Sequence, residues 1–309
     1  MTAILEIIDL SGTLITLTDV LSFKVVKDRY VPYSTLYAKA SFLGTYTALK
    51  GARLIVGASI VFYGLIDSVQ FVSEEGIQYI TVRSSGFTSS LCRNNLTPGM
   101  KTDISLNSLM DSFISLPNVE HENNDTVLNY IYVVSGTSFW DAVVNLTYKL
   151  NGGYPYIGGN NTVMVTEKVS PLLVALTEEA ISEWGTINDY TKILSDYHME
   201  DAAGTYNTFN ETNPDAYARD IVRHRQIPLD YQYLNNPAQS LVNRLNTSMR
   251  AFKAIYAVYA GYNGEELSDL MELEDETEPV RIGRIEISGN ENGIFTKCMA
   301  YFDRYCNNE

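Results

Sequence analysis

Three histidines, three cysteines and 37 acidic side chains are the groups here that could carry catalysis or hold a metal, and their spacing assigns them to neither role. His121, His198 and His224 show no H-x-x-x-H or H-E-x-x-H pattern, so a zincin-type centre has no support. His198-Met199-Glu200 has the H-x-E spacing of a zinc deaminase, but the P-C-x-x-C half that would complete such a site is absent. Cys92, Cys298 and Cys306 are odd in number and lack C-x-x-C spacing, which favours neither a disulfide framework nor a zinc site. No G-x-S-x-G elbow occurs, and Ser135-Gly136-Thr137-Ser138 is better used in helix capping than as a nucleophile. No G-x-x-x-x-G-K-[ST] phosphate loop occurs either. Carboxylate pairs of the glycosidase kind are recognised by geometry alone and stay open. The expectation is a protein that is not an enzyme, with no catalytic residue, no cofactor and no metal.

Binding chemistry is similarly sparse. The net charge of -15 repels nucleic-acid phosphates, and the one basic cluster, Arg219 to Arg225, is short and lacks interleaved aromatics. Glu265-Glu266, Asp269, Glu272, Glu274-Asp275-Glu276 and Glu278 form an acidic stretch interrupted by leucines. It reads as a solvated loop over 264–279 or a short helix; a calcium site is disfavoured, because no D-x-[DN]-x-[DN]-G spacing is present. Trp140 and Trp184 invite sugar stacking, although Trp140 opens an amphipathic stretch where core packing is the ordinary use. The 22 tyrosines suit broad protein contacts, since each offers area with a polar tip.

The elements that must carry these residues are mostly strands. Ile4 to Asp9, Thr13 to Leu17 and Leu21 to Val26 read as short strands split by Gly, Asp and Pro turn residues, and strands at this spacing argue a barrel or sandwich. Past Pro98-Gly99, Leu106, Leu109, Met110 and Phe113 recur at helical spacing behind Ser105. A second helix opens at Ser138, with Trp140, Val143, Val144, Thr147 and Leu150 on one face and Gly152-Gly153 as its stop. Tyr154–Ile157 and Thr162–Thr166 flank Gly158 to Asn161 as a hairpin. Strands resume at Thr186 to Met199 and Gly204 to Phe209, and Asn236-Pro237 caps a helix running to Arg250.

One pattern occurs twice. Val61-Phe-Tyr-Gly64-Leu-Ile66-Asp67-Ser-Val69 returns as Val280-Arg-Ile-Gly283-Arg-Ile285-Glu286-Ile-Ser288, each preceded by a β-rich run (Leu36 to Thr47; Ala254 to Tyr262) and followed by a Gly-containing turn and a last strand. An internal duplication of a small barrel follows, although any half-buried strand with one glycine looks similar. The expected organisation is mainly β with α+β: a first barrel over 1–95, an α+β domain over 96–170 and a second barrel over 171–309. No apolar run approaches the roughly 20 residues that span a bilayer, and Met1 to Glu6 has neither a basic region nor a cleavage site. A cytoplasmic, unanchored protein is expected.

The order of these parts resembles the baseplate hub proteins of contractile phage tails and R-type phage-tail-like bacteriocins, the late-control D and PBSX-like hub family. The resemblance rests on Tyr63 to Val69, Val82-Arg83-Ser84, Leu91, Arg93-Asn94-Asn95, Pro98-Gly99, Leu106 to Ile114, Val134 to Trp140, and Gly293 to Cys306. It is one of pattern over most of the chain, and Asp201 to Asp230 falls outside it. It implies two similar tube-type barrels per subunit and a homotrimer of pseudo-sixfold symmetry that adapts a hexameric tail tube to a trimeric spike. The implied partners are the tube or a tube-initiator protein, the spike and other baseplate proteins, with nucleic acid only as passing cargo. The implied location is a phage or tailocin particle, assembled in the bacterial cytoplasm and released by lysis. A carbohydrate- or receptor-binding β module of a tail and a tail-associated cell-wall hydrolase are the alternatives.

Overall fold

Successive side chains of a strand point to opposite faces, and burial alternates accordingly along Ala3–Asp9, Val20–Asp28, Thr35–Ser41 and Leu49–Val56. A computed structural model describes residues 3–44, 48–74, 76–176, 180–233, 236–273 and 278–302; Cys306, Glu274 to Glu276 and Asp303 onward lie outside them. Seven strands come first: β1 (Ala3–Asp9), β2 (Leu14–Leu17), β3 (Val20–Asp28), β4 (Thr35–Ser41), β5 (Leu49–Val56), β6 (Ser59–Glu74) and β7 (Ile77–Gly86). They pair antiparallel in the order β3-β4-β7-β6-β5-β1-β2. At 16 residues β6 turns the corner of this sheet, pairing Ser59–Leu65 with β5 and Gly64–Glu74 with β7. Leu5, Val25, Ala38, Leu54, Phe62 and Val82 thereby meet in one buried cluster.

The α+β segment follows with α1 (Ser90–Arg93), β8 (Gly99–Ile104), α2 (Leu106–Ser108), β9 (Glu120–His121), β10 (Leu128–Val133), α3 (Phe139–Asn151), β11 (Tyr156–Ile157) and β12 (Thr162–Met164). It has a core of its own, in which Leu91, Leu109, Ile131, Trp140 and Leu146 are buried. Both helix starts form as their sequences dictate: Ser105 with Ser108, and Ser138 with Asp141, make reciprocal capping boxes. Gly152 ends α3 at φ 72. The α2 face departs from the expected spacing. After Ser108 the backbone widens into a π turn, Leu109–Ile114, closed by Ser115 N–H donating to the Met110 carbonyl at 2.7 Å. A wider turn moves the next inward position on by one residue. Ile114 is therefore 5% exposed, and Phe113, expected on the buried face, is 43% exposed.

The rest of the chain contains β13 (Leu173–Leu176), β14 (Ile181–Asn188), β15 (Asp196–Met199), β16 (Phe209–Thr212), β17 (His224–Ile227), β18 (Lys253–Ala260), β19 (Leu270–Leu273), β20 (Val280–Asn290) and β21 (Gly293–Tyr301), with α4 (Pro214–Tyr217) and α5 (Pro237–Ser248) between β16 and β18. Six of these strands run β14-β18-β21-β20-β19-β13, repeating β3-β4-β7-β6-β5-β1 strand for strand. One pairing changes sense: β13 lies parallel to β19, whereas β1 is antiparallel to β5. Two irregularities repeat, an extra residue at Leu21 in β3 and Ser182 in β14, and another at Asp67 in β6 and Gly283 in β20.

The equivalence of Gly64 with Gly283 is corrected by this register. The hairpins close on Glu74 with Ile77 and on Asn290 with Gly293, which makes Gly283 the counterpart of Asp67 and shifts the apparent sequence repeat by three residues. Each glycine answers to its own neighbour. A Cβ on Gly64 would lie 2.2 Å from the Ser85 carbonyl oxygen, and one on Gly283 would lie 2.4 Å from the Tyr301 ring.

Between β14 and β18, where the first unit has a short turn, the chain inserts residues 189–252. There β15 pairs with β16 and β17, and Ile193, Leu194, Ala216, Leu245 and Met249 form a third buried cluster. Asn236 caps α5 as its sequence predicts, and Leu241, Leu245 and Met249 are buried. The expected strand from Thr186 to Met199 breaks at Asp189, whose carboxylate accepts the Thr191 N–H and hydroxyl, and Gly204 to Thr208 is a loop gathered around Asp201.

The first part of the acidic stretch, 264–273, is not a solvated loop, and Glu274 to Thr277 lie outside the described residues. Glu265 and Asp269 are 0% and 2% exposed, and Leu270–Leu273 is a strand. Lys168 pairs with Asp269 at 2.9 Å and compensates charge that burial alone would penalise, Lys27 pairs with the neighbouring Glu266 at 2.8 Å, and the Glu265 carboxylate accepts the Asn263 N–H at 2.7 Å.

Candidate assembly interface

The two duplicated units are joined edge to edge. Phe23–Asp28 of β3 pair antiparallel with Arg284–Gly289 of β20, which merges both units into one 13-stranded sheet. Side chains fasten this seam. Lys24 Nζ lies 2.7 Å from Glu286, Arg284 bridges Glu286 and Asp28, and the Tyr301 hydroxyl donates to Asp28 at 2.8 Å. The Phe23 ring lies against Gly289 so closely that a Cβ there would fall 2.2 Å from it.

Burial pushes the Asp28 carboxyl up, and hydrogen bonds from Tyr301 and Arg284 offset only part of that. Burial also opposes ionisation of Glu286, but Lys24 and Arg284 outweigh it and hold its carboxyl below the usual range. A lowered folded pKa means stability that is present above the unfolded value of about 4.3 and lost as pH falls through the folded one. Glu286→Gln should therefore flatten the acid limb of the urea midpoint measured between about pH 5 and pH 3. An unchanged acid limb would show that the carboxylate adds nothing there.

The counterparts of these two edges are open. β14 pairs only with β18, and β6 beyond Leu65 pairs only with β7, among the described residues. Carried over by the shared hairpin ends and bulges, the β3–β20 register sets Ser68–Ser73 of β6 against Trp184–Asp189 of β14. Phe23 over Gly289 becomes Trp184 over Ser73, a large ring facing a small residue in both cases. Phe23 is 4% exposed, while Trp184 is 59% exposed and Phe71, also on the open edge, 44%. The backbone of β14 is correctly phased for pairing. Asp189 N–H donates to the Phe252 carbonyl on the β18 side, so by alternation the N–H groups of Trp184 and Thr186 face the open side. In β3 the equivalent phase is occupied, with Arg29 N–H donating to the Gly283 carbonyl. Open edges of this length are templates for another strand.

The residues singled out by chemistry lie elsewhere. His121 is 3.1 Å from Asp111. His198 and His224 come together beside Asp196, whereas Glu200 lies beyond the end of β15, so the deaminase pattern is not assembled. Arg223 spends its guanidinium on the carbonyls of Tyr190, Thr191 and Ile193, and Arg219 donates to Asp215. Trp140 is buried and donates to the Tyr154 hydroxyl, leaving Trp184 as the exposed member of the pair. Cys92 is exposed and Cys298 buried. Among the described residues no helix is long and apolar enough to cross a membrane. Sequence reasoning passed over the open edges, whose signal was Trp184, a large ring beside Ser182, Glu183 and Thr186 on the same strand.

No family model and no curated protein sequence matches the chain. Solved structures share its fold. A tail protein from Neisseria meningitidis MC58 matches 98% of this chain and 97% of its own at TM-score 0.72 and 11% identity. The 43 kDa tail protein of prophage MuSo2 from Shewanella oneidensis matches 97% of both chains at TM-score 0.70 and 13% identity. An Escherichia coli component of the type VI secretion system, described as similar to the T4 tail proteins gp27 and gp5, matches 94% of this chain and 75% of its own at TM-score 0.56 and 9% identity. The chain is thus mainly β, with the fold of phage tail proteins.

Proposed function

We propose that this protein is the structural hub of a contractile tail or tailocin baseplate, a homotrimer that adapts a hexameric tube to a trimeric central spike. The observation that carries the reading is the β3–β20 seam, together with the same two edges left open in the opposite units. A contact between non-identical edges is heterologous and either closes into a ring or runs on as a filament. Repeating the internal seam between chains, β14 of one copy against β6 of the next, gives every junction the same geometry. The hub resemblance supplies the closing number, three chains and six units. Six similar faces then meet the tube, and threefold symmetry remains for the spike. The overlap with tail proteins along nearly their whole length supports the same placement.

Tube or tube-initiator, spike and other baseplate proteins are the partners in this reading. Its residues do mechanical work, with no chemical step. In a genome-carrying particle the net charge of -15 keeps passing nucleic acid from sticking to the ring. The proposed location is the tail particle, assembled in the cytoplasm and released by lysis. Native mass of the protein with and without a co-expressed spike, followed by end views in the electron microscope, tests the reading. Three chains with six lobes are expected; a monomer in both preparations overturns it.

A further inference from the structure

The inserted segment brings together side chains that no part of the assembly reading uses. β15 and β17 run parallel, with Asp196 opposite His224. Asp196 and His198 are two residues apart on β15, so their side chains leave the same face, where His224 joins them. One donor atom from each of the three lies within 4.8 Å of the others. His224 Nδ1 is 2.8 Å from Asp196 Oδ2, and the two imidazole centroids are 6.4 Å apart.

We propose that Asp196, His198 and His224 bind a divalent transition-metal ion of the zinc class. Two imidazoles and one carboxylate suit Zn²⁺, Co²⁺ or Ni²⁺, whereas Ca²⁺ and Mg²⁺ favour all-oxygen sets. Donors about 2.0–2.2 Å from a tetrahedral ion sit roughly 3.4 Å from one another, so side-chain rotation brings this group into range without moving a strand.

The carboxylate is already oriented from behind. Tyr217 on α4 donates to Oδ2 at 2.5 Å and Thr212 on β16 donates to Oδ1 at 3.1 Å, which are the outer contacts a ligating carboxylate requires. His224 has 52% of its side chain exposed, which supplies the entry path. The fourth position is left to water or to a group from another protein, the open arrangement of three-ligand sites.

The test uses the full chain and Co²⁺ as the probe. Titration should give a visible absorption band saturating at one ion per chain and displaced by Zn²⁺. His198→Ala and His224→Ala should each weaken binding by about tenfold or more, and His121→Ala, remote from the site, should leave it unchanged. Circular dichroism of the variants separates lost binding from lost folding. Absence of a saturable band, or binding unaltered in folded His198→Ala and His224→Ala proteins, would overturn the assignment.

Discussion

Thr186→Pro should turn the proposed three-chain ring into single folded chains. The Thr186 N–H faces the open side of β14, so its removal deletes a donor needed by the next chain and none needed by β18. Proline is tolerated on strand edges for the same reason. Its ring also blocks approach of β6 from the neighbouring copy, and loss at all three junctions of a closed ring acts cooperatively. Native mass should fall from three chains to one, with the far-ultraviolet spectrum retained. A folded variant that keeps the parent mass would place the subunit contact elsewhere.

The largest effect on folding is expected at Gly64→Ala. Gly64 pairs with Gly86 across β6 and β7, and an added methyl would meet the Ser85 carbonyl oxygen at 2.2 Å and the Gly86 Cα at 2.8 Å. These are backbone atoms of a paired strand, so no rotamer change relieves the clash. A cost of about 3 kcal/mol or more follows, a drop of roughly 6–12 °C in thermal midpoint for a chain of this size. The same strand carries the open edge, so the proposed β6–β14 junction should weaken with it. A midpoint within about 2 °C of the parent would show that the two strands are not so close.

How much was legible depends on the range of the forces involved. Ser138 with Asp141, Gly152, and Asn236 before Pro237 are local signals, and the helices they delimit form where the sequence places them. Strand spacing also carried the duplication. It failed at residue level because hairpin closure, set at Glu74 and Asn290, decides which residues are equivalent, and a shared glycine does not. The π turn at Leu109–Ile114 defeated a rule built on 3.6 residues per turn. The acidic segment misled because its neutralising lysines, Lys27 and Lys168, are remote in sequence. The insert was opaque for the same reason: β15 is four residues long and owes its place to partners at 209–212 and 224–227. The seam joins Asp28 to Arg284 across 256 positions and leaves no local trace.

Cross-linking of the proposed junction tests the central claim most directly. The internal register pairs Glu286 with Val26, and its counterpart between chains is Gln70 of one copy opposite Ile187 of the next. By the phase of β14 this is a non-hydrogen-bonded pair, with Cα atoms about 4.5 Å apart, within disulfide reach. Gln70→Cys combined with Ile187→Cys should, on mild oxidation, give a ladder of linked chains ending at three, while each single variant stays unlinked. Absence of linked species from the folded double variant would contradict the β6–β14 ring.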